Sequence, residues 1–499
     1  MNIEIATPKN AAAVILFRSG ANSENLELCW ARRSRKLKFL SGYHAFPGGR
    51  VEPNDSETIV QNSSDNELKI LMACAARECF EEVGVLLARG GEKMTRGQRA
   101  SLRDDLTSGR MIFAEILAHW DLWLDADDFR FVGAWTTPPF SPTRFKTSFF
   151  LVNCPAKQEP FAASGELENV EFVKPQYALA KWTRGEILCA PPILNAFRVL
   201  AKGAAEKSSQ ELLKLAEREG AHPRKIEFNP HITVFPLKTK TLPPATHTNC
   251  FIVGRREFVV IDAAADESSE QNALHEFVDS IVEDKGVCRA IFVSHSHPDH
   301  LGGERALQKH LSEKYDQTVP LATHALTAKD LPHIRFDELF DGETFYDLSD
   351  TNNQSFQLQI LHLPGHARGH VCFYDAEFGF LLSSDNVVGT GSVLISPPAG
   401  NMKDYLNSLE KMRDLRNLRF LCGSHGPATA DARGKIESFI EHRLTREQEI
   451  LRAWREGAQT PPEIVAKVYA NVEPALRGFA EKSVLAHLEK LREDNLLST

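Results

Sequence analysis

The chain has 499 residues, of which 42% are hydrophobic and 25% are charged. At roughly 150 residues per domain, this length predicts about three domains and excludes a single small fold. The net charge of −9 excludes the basic character of a dedicated nucleic-acid-binding protein. RNA stays open as a substrate, because a metal ion in an active site would offset local acidity.

Cysteine usage and hydropathy indicate the expected compartment. The nine cysteines are scattered and form no C-x-x-C pair, which argues against a zinc ribbon or a disulfide scaffold. No apolar run approaches the roughly 18–20 residues that span a bilayer. The segment MNIEIATPKN lacks the pattern of a signal peptide. We therefore expect a cytoplasmic protein without a membrane partner.

The pattern of hydrophobic residues divides the chain into three regions and a linker. Residues 1–205 alternate strand-like runs such as AAAVILF with helix-like stretches, and the charged segment 206–230 is typical of a helical or loose linker. Over 231–432, short strands such as EFVVID and AIFVSH alternate with helical patterns, and 433–499 is mostly helical. The sequence predicts a multidomain protein of the α/β and α+β classes.

A helix rich in glutamate is the first candidate site. Glu78, Glu81 and Glu82 are spaced so that their carboxylates share one helical face, and Gly84 ends the helix. Like charges so placed repel each other unless a cation lies between them, and clustered oxygen ligands suit Mg²⁺ or Mn²⁺. A solvated acidic face is the alternative interpretation.

The surrounding residues favour the metal interpretation. Residues 77–85, RECFEEVGV, match every specified position in the second half of the Nudix box, and FPGG at 46–49 resembles its beginning. The spacing differs, because 21 residues separate Asp55 from Arg77 where the family has seven. The box therefore carries an insertion over about 56–69, which leaves the role of Asp55 open.

This resemblance implies a Nudix α/β/α sandwich that hydrolyses a nucleoside diphosphate linkage with Mg²⁺ or Mn²⁺. It implies that Glu78, Glu81 and Glu82 hold the metal, with one of them acting as the base. It also implies that Arg77 orients a glutamate through an ion pair. A further carboxylate often comes from a distant loop in this family, and Glu168 is the candidate.

The stretch CWARRSRKLKFLSGYHAFPGG resembles the longer signature of the coenzyme A diphosphatase branch of the Nudix family. The matching positions are Arg33, Ser34, Gly42 and 46–49, and Lys38 stands where that signature has its second arginine. The resemblance implies that an anionic nucleotide, coenzyme A or an acyl-coenzyme A, contacts a set of four residues: Arg33, Lys38, Gly48 and Gly49. A solvated basic turn is the alternative.

A second constellation follows the apolar strand AIFVS as the pattern H-x-H-x-D-H. Its side chains are His295, His297, Asp299 and His300. Three more potential ligands, His366, Asp385 and His425, each follow a predicted strand, which is where α/β folds place their sites. Imidazole and carboxylate ligands in such numbers favour zinc over a polar surface loop.

The order of these residues resembles that of the metallo-β-lactamase fold superfamily, an αββα sandwich with two zinc ions. By this resemblance His295, His297 and His366 bind one zinc. Asp299, His300 and His425 bind the other, Asp385 bridges the two, and Asp299 also acts in catalysis. His370 and Asp262 are expected to orient ligands. Ser384 and Ser424 replace the usual glycines, which leaves the loop geometry open.

From about residue 235 to 497, stretches such as PGHARGHVCFY and SPPAGNMKDYLNSLEKM resemble the β-lactamase-like protein 2 group, whose members are associated with cleavage of single-stranded RNA. The tail resembles that group's winged-helix-like unit. Residues 433–499 carry eleven basic and eleven acidic side chains, which favours packing on the zinc domain over DNA binding.

The two resemblances together imply a bifunctional metal-dependent hydrolase that acts on a nucleotide and on a thioester or ester. A single-stranded RNA endonuclease is the main alternative for the zinc domain. A ligand-sensing regulator is a further alternative, against which both intact ligand sets argue. The sequence does not predict the oligomeric state.

Overall fold

The computed structural model describes residues 5–19, 26–37, 40–162, 165–203, 205–221, 224–349 and 355–497. These residues form two compact units, the first ending at Asn229 and the second beginning at Pro230. Within the described residues, no helix combines the length and the apolar character needed to cross a membrane.

The first unit combines strands and helices in alternation. Its strands are β1 (Lys9–Ser19), β2 (Leu26–Arg33), β3 (His44–Ala45), β4 (Gly48–Arg50), β5 (Val60–Gln61), β6 (Leu124–Asp125), β7 (Arg130–Thr136), β8 (Phe145–Asn153), β9 (Leu167–Val173) and β10 (Ile226–Asn229). Its helices are α1 (Asn66–Val83), α2 (Arg96–Thr107), α3 (Phe113–His119), α4 (Pro175–Thr183), α5 (Pro191–Leu200) and α6 (Ala205–Glu219).

A mixed sheet in the order β3-β2-β1-β8-β7 forms the centre of this unit, with β4 paired to β1 and β9 to β2. Successive side chains of a strand point to opposite faces of a sheet. On β1, Val14 and Leu16 therefore join the core that contains α1, whereas Ala13 and Ile15 join the core that contains α5. This arrangement confirms the predicted α/β/α sandwich.

The segment 206–230 is helical over most of its length, as one predicted alternative had it, but it also packs into the first unit. It forms most of α6, whose Leu212 and Ala216 are buried in the same core as α5. A Cβ placed on Gly133 of β7 would lie 2.2 Å from the Cβ of Ala216, so the helix packs directly on the sheet. Charged residues outnumber apolar ones in this helix and hide its narrow apolar face in the sequence.

The second unit has two sheets flanked by helices. Its strands are β11 (Ile232–Lys238), β12 (His247–Gly254), β13 (Glu257–Ile261), β14 (Val287–Val293), β15 (Leu321–His324), β16 (Glu338–Phe340), β17 (Thr344–Ser349), β18 (Ser355–His362), β19 (Val371–Asp375), β20 (Phe380–Ser384) and β21 (Phe420–Gly423). Its helices are α7 (Ser268–Glu283), α8 (Glu304–Tyr315), α9 (Ala325–Asp330), α10 (Met402–Arg413), α11 (Ala432–Arg455), α12 (Pro461–Val468) and α13 (Arg477–Glu493).

The two sheets pack face to face with helices outside them. Strands β11 to β16 lie side by side in chain order, and α7 and α8 bury Leu274 and Leu307 against them. Strands β17 to β21 form the second sheet, which is covered by α10 through Leu409. Between the sheets, the ring centroids of Phe292 and Phe373 are 5.5 Å apart. The predicted αββα sandwich is confirmed.

Helices α11, α12 and α13 enclose a small core of their own that includes Ile450, Ile464 and Val484. The described residues from 432 to 497 form helices and turns but no strand. Helix α13 also packs on the sandwich, since Ala486 is buried in the core beneath α10 and Lys403 pairs with Asp494 at 2.9 Å.

Replacing Leu212 with Ala is expected to lower the free energy of unfolding of the first unit by about 2–5 kcal/mol, because it empties a buried site between α6 and the sheet. Urea unfolding followed by tryptophan fluorescence measures this, since five of the six tryptophans precede Asn229. Glu217→Ala, at an exposed position of the same helix, is the control. Equal midpoints for the two variants would show that α6 is only a linker.

Candidate metal centres

Helix α1 presents its glutamates near its C-terminal end. The helix begins after Asp65, whose carboxylate accepts a hydrogen bond from the Leu68 amide at 3.1 Å, and it ends at Gly84. Gly84 has φ 68°, a left-handed conformation that favours glycine. The sequence-predicted helix is confirmed, and it brings Glu78, Glu81 and Glu82 into its last two turns.

Arg77 connects this helix to the turn after β4. Its Nε donates to Asp55 Oδ1 at 2.7 Å and its Nη2 donates to Asp55 Oδ2 at 3.1 Å. Its Nη1 donates to the carboxylates of Glu78 at 3.0 Å and Glu81 at 3.3 Å. Arg77 and Asp55 are both buried. Asp55 is thus the partner of Arg77 despite the insertion that follows it, and Arg77 orients two glutamates.

Gly48 and Gly49 allow β4 to lie against the helix. A Cβ on Gly48 would lie 2.5 Å from the Ala12 carbonyl oxygen, and one on Gly49 would lie 2.4 Å from Glu78 Oε1. The Gly48 amide donates to Glu82 Oε2 at 2.9 Å. The absence of a side chain at these two positions therefore lets the backbone of β4 lie beside the carboxylates. A larger residue at either position would displace it.

The carboxylates of α1 have the electrostatics of a cation site. Burial raises the pKa of Glu78 to about 7 and that of Glu82 to about 8. Burial also raises the pKa of Glu81. Buried carboxyl groups with such pKa values need a nearby cation to stay ionised at neutral pH. The donor set consists of hard oxygens, so it fits Mg²⁺ or Mn²⁺.

Of the predicted substrate-binding side chains, Arg33 lies at the end of β2, half buried. Its pKa is lowered by burial, while the charges of Glu82 and Glu166 act in the opposite direction. Arg33 therefore lies in the field of the carboxylate cluster. Lys38 lies outside the described residues.

Glu168, the predicted distant carboxylate, pairs with an arginine of β2. Glu168 accepts from Arg32 Nη2 at 2.7 Å, and β2 and β9 pair these two residues directly. After burial and Glu78, the charge of Glu166 contributes to the raised pKa of Glu82. Glu166, two residues before Glu168, is thus a further carboxylate whose charge acts on the cluster. The sequence missed it, because the register between β2 and β9 decides which glutamate pairs with arginine.

In the second unit, three imidazoles meet where β14 and β18 end. His297 Nδ1 lies 3.0 Å from His295 Nε2 and 2.8 Å from His366 Nε2. One ligand atom from each of these three residues lies within 4.8 Å of the others. This convergence is the arrangement that a metal ion held by three histidines requires.

A second group lies beside the first. Asp299, His300 and His425 also bring their ligand atoms within 4.8 Å of one another. Asp299 Oδ2 is 3.5 Å from His425 Nε2. Although burial alone would raise the pKa of Asp299, its contact with His425 lowers that pKa to about 2, so the side chain is a carboxylate.

Asp385 joins the two groups. Its Oδ2 lies 3.5 Å from His366 Nε2, whereas its Oδ1 lies 3.4 Å from both His300 Nε2 and His425 Nε2. The two oxygens of one carboxylate therefore face different sets of imidazoles. Within the described residues, the groups of three or more His, Cys, Asp or Glu ligand atoms this close together all lie in this cluster.

Two features of the cluster fit a metal ion: some of its buried polar atoms have no hydrogen-bond partner, and two of its imidazoles are neutral. His300 Nε2 and Asp385 Oδ1 are buried and form no hydrogen bond within the described part of the chain. Such atoms are costly unless something else satisfies them. Burial lowers the pKa of His366 to about 3 and that of His295 well below its usual value. Both imidazoles are therefore neutral and have a lone pair for a metal. His300 and His425 differ: burial acts to lower their pKa values, but the carboxylates beside them raise the pKa of His425 to about 10 and that of His300 well above its usual value.

Hydrogen bonds outside the cluster orient its ligands. His366 Nδ1 lies 2.9 Å from the Leu394 carbonyl, and His425 Nδ1 lies 2.9 Å from the His247 carbonyl. A carbonyl only accepts, so each Nδ1 carries the proton and each Nε2 faces the cluster. Such contacts fix the tautomer and orientation of metal-binding histidines.

Asp262 and His370 lie where orienting residues are expected. Asp262 Oδ2 is 2.8 Å from His300 Nδ1 and accepts a hydrogen bond from the Ser294 hydroxyl at 2.7 Å. His370 Nε2 accepts a hydrogen bond from the Asp385 amide at 3.1 Å. Asp262 thus supports an imidazole, and His370 supports the backbone of the residue that carries the central carboxylate.

Ser384 keeps the backbone geometry of the glycine that it replaces in the resemblance. Its φ is 45°, in the left-handed region that other residues rarely adopt. Its hydroxyl donates to Ser294 Oγ at 2.8 Å and lies 3.3 Å from Ser424 Oγ. These contacts form a buried chain of serines below the ligands, which the sequence left open.

The first unit, an α/β/α sandwich with a glutamate-rich helix, is a Nudix domain. The second, an αββα sandwich with seven His and Asp side chains at strand ends, is a metallo-β-lactamase domain. Family models agree: the NUDT19 Nudix domain matches residues 63–200. The Metallo-beta-lactamase superfamily matches residues 243–425, and the Beta-lactamase associated winged helix domain matches residues 460–498. The chain therefore carries two domains of hydrolase families.

Three named proteins are similar to part of this chain. The Beta-lactamase-like protein 2 homolog of Caenorhabditis elegans is 30% identical over 209 residues, 42% of this chain and just under two thirds (66%) of that protein. The homolog of Drosophila melanogaster is 29% identical over 262 residues, 50% of this chain and 84% of that protein. The Atrochrysone carboxyl ACP thioesterase of Aspergillus chevalieri is 28% identical over 257 residues, 48% of this chain and 74% of that protein.

Asp55→Ala is expected to lower the free energy of unfolding of the first unit by about 3 kcal/mol, because it leaves the buried guanidinium of Arg77 short of a counter-charge. Denaturant unfolding with tryptophan fluorescence measures the change. Glu57→Gln, an exposed position of the same turn, should leave the midpoint in place. A stability unchanged by Asp55→Ala would contradict the pairing.

Proposed function

We propose that this chain is a bifunctional metal-dependent hydrolase. Its Nudix domain cleaves a nucleoside diphosphate linkage, in coenzyme A or an acyl-coenzyme A, and its metallo-β-lactamase domain hydrolyses a thioester or ester at a pair of zinc ions. The observation that carries the proposal is the Asp385 carboxylate, whose oxygens face two separate groups of imidazoles.

The donors of the second unit support zinc. Neutral imidazoles and carboxylates are its usual nitrogen and oxygen ligands. When bound, the ions lower the pKa of water and polarise a carbonyl. The chain's own residues set the geometry: Asp262 holds His300, and the Leu394 carbonyl holds His366. Asp299 remains ionised, so it can both bind a metal and accept a hydrogen bond from the attacking water.

A thioester is favoured over RNA as the substrate of this domain. The chain's net charge is −9, which offers little attraction for a polyanion. One relative is named a carboxyl ACP thioesterase, which supports acyl thioester chemistry. A Nudix domain acting on coenzyme A also gives the fusion one sequence of reactions, removal of the acyl group and then cleavage of the diphosphate.

The Nudix proposal depends on the carboxylates of α1. Glu78, Glu81 and Glu82 would hold Mg²⁺ or Mn²⁺, and Arg77 fixes two of them through its Nη1. Burial raises the pKa of Glu82 to about 8, so a bound cation would be needed to keep it ionised and able to take a proton at neutral pH. Burial lowers the pKa of Arg33 and the charge of Glu82 opposes this effect, so Arg33 is the residue proposed to meet an anionic substrate beside the cluster.

The proposed compartment is the cytoplasm. All nine cysteines are free thiols, and eight of them are buried. This supports a reducing environment, in which small nucleotides and thioesters are the proposed partners.

The Glu81→Gln protein, which should have a silent Nudix site, is expected to release free thiol from acyl-coenzyme A. Adding His297→Ala should abolish that release and reduce bound zinc, because it removes the imidazole that lies between His295 and His366. A thiol reagent and metal analysis measure the two effects.

The matched control is His333→Ala, which changes an exposed histidine outside the cluster and should leave both readings intact. Labelled single-stranded RNA is incubated in parallel. RNA cleavage that depends on His297, with thioesters untouched, would replace the thioesterase proposal with the endonuclease alternative. A wild-type protein that binds no zinc, iron or manganese would overturn the metal site itself.

Glu81→Gln alone should slow cleavage of coenzyme A at least a hundredfold, about 2.7 kcal/mol in barrier, because it removes a charge from the metal cluster. Chromatography should identify 3′,5′-ADP and 4′-phosphopantetheine as products of the wild-type enzyme. Glu217→Gln serves as the control. If metal-loaded wild-type enzyme hydrolyses nucleotide sugars and leaves coenzyme A intact, the coenzyme A assignment is wrong.

A further inference from the structure

A buried arginine from the C-terminal helices reaches the segments that hold the metal ligands. Arg443 of α11 is 3% exposed. Its Nη2 donates to the Val393 carbonyl, and its guanidinium carbon lies 5.4 Å from the ring centroid of Tyr405. Arg443 belongs to neither ligand group, and nothing in the sequence pattern distinguishes it.

Tyr405 of α10 ties together the loops that carry Asp385 and His366. Its hydroxyl donates to the Asn386 carbonyl at 2.7 Å, directly after the bridging Asp385. The Asn386 side chain in turn donates to the Leu363 carbonyl at 2.8 Å, three residues before His366. Tyr405 is fully buried, so these hydrogen bonds have no competition from water.

The loop between β18 and β19 packs tightly on the same tyrosine. Gly365 has φ 129°, and a Cβ on it would lie 2.2 Å from the Tyr405 Cα. Gly365 directly precedes His366, so a shift of Tyr405 moves this ligand. The carbonyl of Leu394, which fixes the His366 tautomer, follows the Val393 carbonyl that Arg443 holds.

We infer that Arg443 and Tyr405 form a positioning pair through which the C-terminal helices set the geometry of Asp385 and His366. The inference rests on the metal site of the proposed function. The C-terminal helices would then position two of the metal ligands in addition to packing on the sandwich.

The chemistry of arginine explains why this residue suits the position. Its guanidinium is planar and weakly hydrated, so it can lie over an aromatic ring and donate to a carbonyl at the same time. A charged donor makes a stronger hydrogen bond to a carbonyl than a neutral one. The Arg443 Nε forms no hydrogen bond within the described residues, so the Val393 and Tyr405 contacts carry the interaction.

The same helix offers a matched control one turn later. The Arg446 guanidinium lies 4.4 Å from the ring centroid of Tyr469, and its Nη1 donates to the Val468 carbonyl at 3.0 Å. Arg446 thus repeats both contact types of Arg443 and also pairs with Glu449 at 2.7 Å, and all these partners lie within the C-terminal helices. A variant of Arg446 loosens these helices without touching a ligand loop.

The test measures zinc affinity by competition with a chromophoric chelator in Arg443→Met, Tyr405→Phe and Arg446→Met. The first two variants should bind zinc about 10–100-fold more weakly than the wild type, the range found when contacts behind metal ligands are removed. Arg446→Met should match the wild type. Thioester hydrolysis at saturating zinc should show a lower kcat with little change in KM.

Circular dichroism and unfolding of the metal-free proteins separate affinity from folding. If Arg443→Met fails to fold, Arg443→Lys and Tyr405→Phe, which keep more of the packing, give the decisive comparison. Equal zinc affinities for the Arg443 and Arg446 variants would overturn the inference while leaving the metal site in place. A wild-type protein that does not bind zinc would overturn the proposed function and the inference with it.

Discussion

The buried carboxylate of Asp385 is the constraint on which the second unit depends. Taking an ionised carboxylate out of water costs several kcal/mol unless charges and hydrogen bonds compensate. Here imidazoles face each of its oxygens, and the His370 ring accepts a hydrogen bond from its amide. The strands that end around it must therefore hold their loops in register, because a displaced imidazole would leave this charge uncompensated.

Both units bury carboxylates, whose negative charge must be compensated, and they compensate it with different side chains. In the second unit, imidazoles surround one central carboxylate. In the first, carboxylates predominate, and the buried Arg77 neutralises part of their charge through Asp55, Glu78 and Glu81. Neutral imidazole suits zinc, whereas clustered oxygens suit Mg²⁺ or Mn²⁺. The difference in donors would let the two proposed sites prefer different metals.

The sequence predicted both folds and the convergence of seven His and Asp side chains, because these depend on local spacing and on strand ends. It singled out Glu168 and missed Glu166, since only the pairing of Arg32 with Glu168 shows which carboxylate is engaged. It left Asp55 open, because an insertion breaks the spacing without breaking the ion pair. The sequence also did not predict that the segment 206–230 packs on the sheet, because its charged residues mask its narrow apolar face.

The role of Arg443 could not be predicted from local sequence patterns. Its role depends on the contact between Arg443 of α11 and Tyr405 of α10. The spacing of residues along the sequence does not reveal this contact. A charge buried to this degree is costly, and its partners are a carbonyl and an aromatic ring rather than a carboxylate. The free-energy cost of burying a charge is tolerated where the charge holds neighbouring groups in a specific geometry. Arg443 lies over the ring of Tyr405, whose hydroxyl donates to the backbone carbonyl directly after Asp385, so the geometry that it maintains is that of the proposed metal ligands.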